Sequence, residues 1–170
     1  FPVPLRADSD ATIQLRLTRY HRAGGKPLLM LHGLAQGSQI FWLQDIYNLA
    51  AYFHDAGFDV WLLDYRLSNL VLPNLAADQR NWSMDEIAQF DIPLAIARVC
   101  ALTEHEKISV FGHCVGACTL AMAALRDADV GARIEAAVTN AIHPWVIASP
   151  ANQFRAKLGN FYRERVPGDI

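Results

Sequence analysis

Strand and helix patterns alternate along this chain from residue 28 onward, which predicts an α/β fold with a doubly wound, mostly parallel sheet. The runs at residues 28–31 and 58–63 are apolar throughout rather than alternating, as in strands buried on both faces. Each is followed by polar, turn-forming residues or a helical pattern, as crossover connections require.

The elements follow in order. Residues 12–20 alternate apolar and polar side chains, the period of a strand with one wet face, and give an antiparallel lead-in. Residues 21–27, with Gly24-Gly25, form a turn into the buried strand 28–31, which runs into His32-Gly33. Trp42, Ile46, Leu49, Ala50 and Phe53 recur at helical spacing across residues 40–56, and Gly57 is placed to close that helix as a left-handed cap. After the strand at 58–63, residues 65–81 lack a clean period and contain Asn69, Pro73 and Asn74, so a long loop is expected. Ser83 with Glu86 three residues later is a capping box, which starts a helix reaching residue 102, with Pro93 bending it or marking a second start. Residues 107–111 form a third buried strand, residues 117–127 a small-residue helix and residues 134–142 a fourth apolar strand, with Gly131 interrupting between the last two.

Composition narrows the function. The 170 residues are 52% hydrophobic and 19% charged, enough to bury one substantial core. Fifteen Lys plus Arg against 17 Asp plus Glu give a net charge of −2, without the broad positive field a nucleic-acid binder needs. No apolar run approaches the ~20 residues of a membrane-spanning helix. Three cysteines, Cys100, Cys114 and Cys118, cannot pair completely and lack metal-site spacing, so a reducing, cytoplasmic setting is expected, with no cofactor. The chain opens at Phe1 rather than Met and closes at Ile170, and both ends are expected to lie inside a longer protein.

Gly112-His113-Cys114-Val115-Gly116 fits the G-x-nucleophile-x-G turn between a strand and a helix, with cysteine where serine is commoner. A nucleophile there sits on strained backbone, and the flanking glycines let strand and helix approach closely enough to present its side chain above the sheet. At the start of a helix, Cys114 would have its thiolate favoured. His32-Gly33-Leu34 ends another buried strand about eighty residues upstream. Backbone N–H groups of Leu34 and Val115 would form the oxyanion hole that acyl transfer requires. Cys114 is read as nucleophile ahead of the alternative, a structural cysteine at a tight turn. His143, His113 and His32 are secondary candidates: His143 for a Cys–His dyad, His113 for packing beside the nucleophile, His32 for shaping its loop. Asp64 is expected to bond to the loop that follows it, and Arg66, His21, His54 and His105 to be surface or capping residues.

These motifs resemble the N-terminal part of an α/β-hydrolase, in the branch of acid lipases and esterases. The resemblance rests on Leu28-Leu29-Met30-Leu31-His32-Gly33-Leu34, on residues 57–66, on residues 82–93 and on the elbow, in the family's order. It implies hydrolysis of an ester or related acyl bond, with a small-molecule acyl ester or lipid-like substrate. Cysteine at the elbow is a departure, found in dienelactone hydrolases; Gly-His-Cys-x-Gly elbows are also similar to those of hydrolase-like domains fused to flavin-dependent, cholesterol-oxidase-like oxidoreductases. The family's acid and histidine follow later strands, so the resemblance places base and acid outside this chain. It divides the chain into a hydrolase core at 1–148 and, at 149–170, the start of a lid or a helical tail. The alternative is a non-catalytic hydrolase-like module serving binding or assembly in a larger protein such as that oxidoreductase. The last strand is expected to leave an open sheet edge, prone to self-association unless residues 150–170 cover it.

Overall fold

The computed structural model describes residues 2–6, 13–43, 47–76, 80, 82–142, 149–155 and 157. Among them six strands form one sheet: β1 (Pro2–Arg6), β2 (Gln14–Tyr20), β3 (Lys26–Leu31), β4 (Phe58–Asp64), β5 (Ile108–His113) and β6 (Ile134–Asn140), in the order β1-β2-β4-β3-β5-β6. β3 pairs in parallel with β4 and β5, and β5 with β6, while β1 and β2 form the antiparallel margin. The predicted class holds, and β1 is a strand that the sequence pattern did not announce.

The unbroken apolar runs have a direct cause. Successive strand residues point to opposite faces. Leu29, Leu31, Trp61 and Leu63 enter one buried cluster with Ile92, Ala95, Ile96, Leu120 and Ala123, while Leu28, Met30, Val60 and Leu62 enter another with Phe41 and Ala50. The first face is covered by α3 (Ile92–Thr103) and α4 (Val115–Arg126), the second by α1 (Leu49–Asp55). Each large aliphatic side chain so buried contributes about 1.5–3 kcal/mol.

Helix boundaries depart from the expected ones in two places. The helix expected over 40–56 is split: a 3₁₀ turn at Ser38–Phe41 precedes α1, whose Asn48 cap accepts from the Ala51 N–H, and residues 44–46 lie outside the described residues. Gly57 closes α1 at φ +102°, as its position predicted. The capping box at Ser83 and Glu86 opens α2 (Met84–Glu86), and a π turn at Ile87–Asp91 then leads into α3. Pro93 explains the wide turn, because it has no N–H for the carbonyl four residues back and its ring clashes with that carbonyl. Gly131 lies within the short helix α5 (Ala128–Ala132), rather than interrupting the path to β6.

β6 is a sheet margin among the described residues, and all but its first residue are exposed. Residues 150–155 are helical and exposed, and residues 158–170 lie outside the described residues. No described helix is long and apolar enough to cross a membrane.

Candidate active site

β5 ends at His113 and α4 begins at Val115, so a single residue, Cys114, makes the turn between them. Its backbone sits at φ 52°, ψ −115°, a conformation that costs a non-glycine residue about 1–3 kcal/mol. Cys114 O then accepts from the N–H groups of Ala117 and Cys118, each at 3.1 Å, which starts the helix immediately.

The flanking glycines are required by contact. A Cβ on Gly112 would lie 2.7 Å from Ala117 Cα, and one on Gly116 would lie 2.6 Å from His32 O and 2.8 Å from Leu31 Cβ. Both obstacles include backbone, which cannot swing aside. Gly116 N–H donates to His32 O at 3.1 Å, so α4 is fastened to the end of β3 directly behind the cysteine.

The His32-Gly33-Leu34 segment leaves β3 beside this turn. A Cβ on Gly33 would sit 3.1 Å from Cys114 Cβ and 3.2 Å from His113 Cδ2, so Gly33 passes against the cysteine. Leu34 follows with its side chain 62% exposed. Neither Leu34 N–H nor Val115 N–H donates to an acceptor among the described residues. The His32 ring is fully buried, with Nδ1 2.8 Å from Gly33 O and its face stacked on Tyr65 at 4.3 Å and 13°. Burial lowers its pKa from 6.5, against the opposing pull of the Gly33 carbonyl and Asp64. Tyr65 hydroxyl donates to His32 O, and burial pushes its pKa upward, helped by Cys114, Asp91 and Asp64 nearby.

Asp64, at the end of β4, accepts from Ser38 N–H, Ser38 Oγ and Ser68 Oγ, all at 2.7 Å. It bonds to the following loop as expected and also holds the loop after β3. Arg66 corrects the sequence reading: it is buried rather than superficial. Its guanidinium meets Asp91 at 2.7 Å from Nη2 and about 3 Å from Nε, while its own N–H reaches the same carboxylate at 3.1 Å. The π turn is what brings Asp91 inward, since it ends at that residue.

His113 Nδ1 lies 2.8 Å from Asn140 Oδ1, and Cys114 N–H donates to Asn140 O at 2.9 Å, so the end of β6 braces both residues. Tyr65 and Asn140 were missed as site residues from sequence; only their places at or just after strand ends hinted at a role. His143 lies outside the described residues. Among the described residues no imidazole is hydrogen-bonded to Cys114.

The three cysteines are free and differ in setting. Cys100 is buried in α3, and burial pushes its thiol pKa up against the pull of Arg133, whereas Cys114 and Cys118 are half-buried. No group of three or more His, Cys, Asp or Glu among the described residues is arranged to hold a metal. A cavity of about 390 Å³ lined by Tyr20, Trp42, Asn48, Ala51, His54 and Asp55 contains none of the site residues.

Comparison with known proteins identifies the fold and the family. Sterol esterase 2 of Saccharomyces cerevisiae is 31% identical over 97 residues, covering 54% of this chain and 18% of that protein. Lipase lipl-3 of Caenorhabditis elegans is 35% identical over 104 residues, covering 57% and 26%, and human lipase member M is 33% identical over 108, covering 59% and 25%. The chain therefore spans about a quarter or less of the length of these curated relatives. Epoxide hydrolase A from Mycobacterium thermoresistibile superimposes on 99% of this chain and 50% of its own, with a TM-score of 0.61 at 20% identity, a likeness of fold. Residues 26–169 match the family model described as the alpha/beta hydrolase fold, and the chain belongs to that family.

Proposed function

We propose that this chain carries the nucleophile-bearing part of a hydrolase acting on a lipid-like carboxylic ester. Cys114 Sγ, its proton taken by a base, attacks the acyl carbon, and the N–H groups of Leu34 and Val115 receive the oxyanion that develops. Its collapse breaks the ester C–O bond and releases the alcohol, which takes up the proton. Water then cleaves the thioester to free the acid and restore the thiol. The observation that supports this best is the backbone of Cys114 at φ 52°, ψ −115°, wedged between Gly112 and Gly116 at contacts that admit no Cβ. Strain of this kind persists only where the surroundings enforce it, and it clusters at active sites. The N–H groups beside it, which have no acceptor among the described residues, suit acyl transfer, since preorganised donors aimed at developing charge are commonly the largest contribution to catalysis. Relatives named as lipases and as a sterol esterase support an acyl ester with a lipid-like group.

The thiol must give up its proton, and the base and acid are proposed to come from outside the described residues, with His143 as the nearest candidate in sequence. The test is hydrolysis of a chromogenic acyl ester by the intact protein and by Cys114→Ala. A loss of about 10³-fold or more is expected for removal of a covalent nucleophile. Iodoacetamide should label Cys114 well before the buried Cys100. Undiminished turnover in Cys114→Ala would falsify the assignment. An inert Cys114 in a protein without esterase activity would select the alternative, a non-catalytic binding or assembly module, such as one serving an oxidoreductase. For that alternative, the lack of an imidazole on Cys114 among the described residues is the favouring observation.

The margin that β6 forms among the described residues supports one further expectation, pairing with a second copy of the chain. Sedimentation across micromolar concentrations should then show a monomer–dimer equilibrium. A monomer throughout, with fast-exchanging β6 amides, would remove this part of the reading.

A further inference from the structure

The cavity of about 390 Å³ beside α1 is walled from three segments: Tyr20 at the end of β2, Trp42 just after the 3₁₀ turn, and Asn48, Ala51, His54 and Asp55 of α1 and its cap. Its size falls within the ~300–1,000 Å³ of small-molecule sites. What the wall offers a ligand follows from the hydrogen bonds it already makes. Asn48 is spent on the chain itself, its Oδ1 accepting from Ala51 N–H at 2.9 Å and its Nδ2 donating to Leu43 O at 2.9 Å. His54 Nε2 stands 3.2 Å from His21 O, which can only accept, so in the neutral ring Nε2 carries the hydrogen and Nδ1 is an acceptor. Asp55 Oδ2 receives the Tyr47 hydroxyl at 3.1 Å. Its Oδ1 lies 3.9 Å from His54 Nδ1, too far for a hydrogen bond. Imidazole nitrogen and carboxylate oxygen are therefore neighbouring acceptors.

The charge on Asp55 is also out of place by local rules. It is the last residue of α1, where the backbone carbonyls carry partial negative charge and an acidic side chain is disfavoured. Among the described residues no Lys or Arg pairs with it. Arg22 donates to His54 O instead, and Arg19 is held by Asp59. The helix end thus concentrates negative charge beside two aromatic side chains.

We propose that this cavity binds a small organic cation bearing N–H groups, a primary alkylammonium or arylalkylammonium, with Asp55 and His54 Nδ1 as its acceptors and Trp42 and Tyr20 against its charge and carbon skeleton. An ammonium supplies a hydrogen to each acceptor at once and offsets the charge at the helix end. Aromatic faces attract the same ion through their quadrupole. An anion would meet the carboxylate and the carbonyl ends together, and an alcohol has a single hydrogen for two acceptors. The proposal is independent of the hydrolytic reading, and ester turnover does not enter its test.

The experiment titrates phenethylammonium into the intact protein labelled with fluorotryptophan. The fluorine resonance of position 42 is assigned by its absence in Trp42→Phe. A saturable shift of that resonance is expected, with a Kd on the order of a millimolar, the scale for a ligand of about ten heavy atoms. Phenethyl alcohol, with the same skeleton and no charge, should bind about fivefold or more weakly. Asp55→Asn should weaken phenethylammonium binding by a similar factor, about that of one partly exposed charge interaction. Asp55→Glu keeps the carboxylate and should bind within about threefold of the parent.

No saturable shift at position 42 below about 20 mM overturns the site. Equal affinity for the alcohol and the ammonium overturns the cation, as does an Asp55→Asn protein that binds like the parent. The Asp55 side chain is 65% exposed, so asparagine there is expected to fold. Should it not, the comparison of alcohol with ammonium in the parent protein decides.

Discussion

β4 carries a buried aspartate near each end, and the two are treated in opposite ways. Asp59, at the start, is held by the Arg19 guanidinium at 2.9–3.1 Å, by Arg22 N–H at 2.9 Å and by Trp61 Nε1 at 2.8 Å, while Arg19 also lies over the Trp61 ring. Asp64, at the other end, receives neutral donors from Ser38 and Ser68. On this side lie the strained Cys114, and the His32 Nε2 and the N–H groups of Leu34 and Val115, which have no partner among the described residues. One end of the strand surrounds its carboxylate with charged and neutral donors and joins β2 to β4. The other leaves donors and an acceptor without a partner among the described residues, as the proposed hydrolytic role requires.

The sharpest way to break the comparison is at the close contact behind the site. Gly116→Ala would put a Cβ 2.6 Å from His32 O and 2.8 Å from Leu31 Cβ, forcing α4 away from β3. Overpacking against backbone should cost about 3 kcal/mol or more, seen as a large drop in the denaturant midpoint. Gly24→Ala is the control of ordinary size: Gly24 has open space around it but sits at φ 70°, so only the milder cost of a left-handed alanine, about 1 kcal/mol, is expected.

Next in size is a substitution that raises stability. Cys114→Gly relieves a conformation costing about 1–3 kcal/mol, offset by the ~0.5–1 kcal/mol of extra unfolded-chain entropy that glycine brings. A net gain of about 1 kcal/mol should appear as a higher Tm, together with loss of ester hydrolysis. Asp59→Asn should do the reverse, losing about 2 kcal/mol through its charge-assisted bonds to Arg19 and leaving the chemistry unaltered. If Cys114→Gly is instead less stable than the parent, the strain is not stored at the turn.

Acid should separate the two ends by pH window. The His32 pKa is lowered from 6.5, so the unfolded chain binds the proton more readily, and stability must fall as pH drops below about 6.5. Asp64 is the charged group that opposes the shift, together with the bond to the Gly33 carbonyl. The Asp59 pKa is lowered from 3.8: burial alone would raise it, but the bonds from Arg19, Arg22 and Trp61 prevail. Its contribution is therefore complete above 3.8 and lost only as pH falls through the folded-state value. Tm measured against pH should fall less steeply below about 6.5 in His32→Phe, whereas Asp59→Asn should alter the curve only below about 4. A His32→Phe curve parallel to that of the parent would contradict the assignment.

How much of this was legible in the sequence follows from the range of each interaction. β3, β4 and β5 were readable because apolar runs report double-sided burial locally, and the elbow because its glycines lie within five residues of one another. The capping box was likewise a local signal, three residues long. Arg66 was misread because its partner stands 25 residues away and faces inward only through the π turn ahead of Pro93. The helix read over 40–56 was overextended because apolar spacing there is shared by a 3₁₀ turn and by α1, which pack on the same face. Tyr65 and Asn140 matter through backbone and ring contacts that no spacing rule encodes.

The smallest expected effect tests what holds the margin strand. Lys26 Nζ and Glu135 Oε1, on β3 and β6, are 3.4 Å apart, with side chains 69% and 49% exposed. A pair so solvated is screened, and ordering two long side chains offsets its attraction, so a double-mutant cycle should return about 0.5 kcal/mol or less, shrinking with salt. The ladder from Ile108–Ile134 to His113–Asn140 is then what keeps β6 in place, with its far end fixed where Asn140 meets His113 and Cys114. Asn140→Ala should accordingly disturb β6 more than Lys26→Ala, read as faster amide exchange at Val138 and Thr139. The reverse order would mean that the margin is held by its exposed charges, and that the brace beside the cysteine is incidental to it.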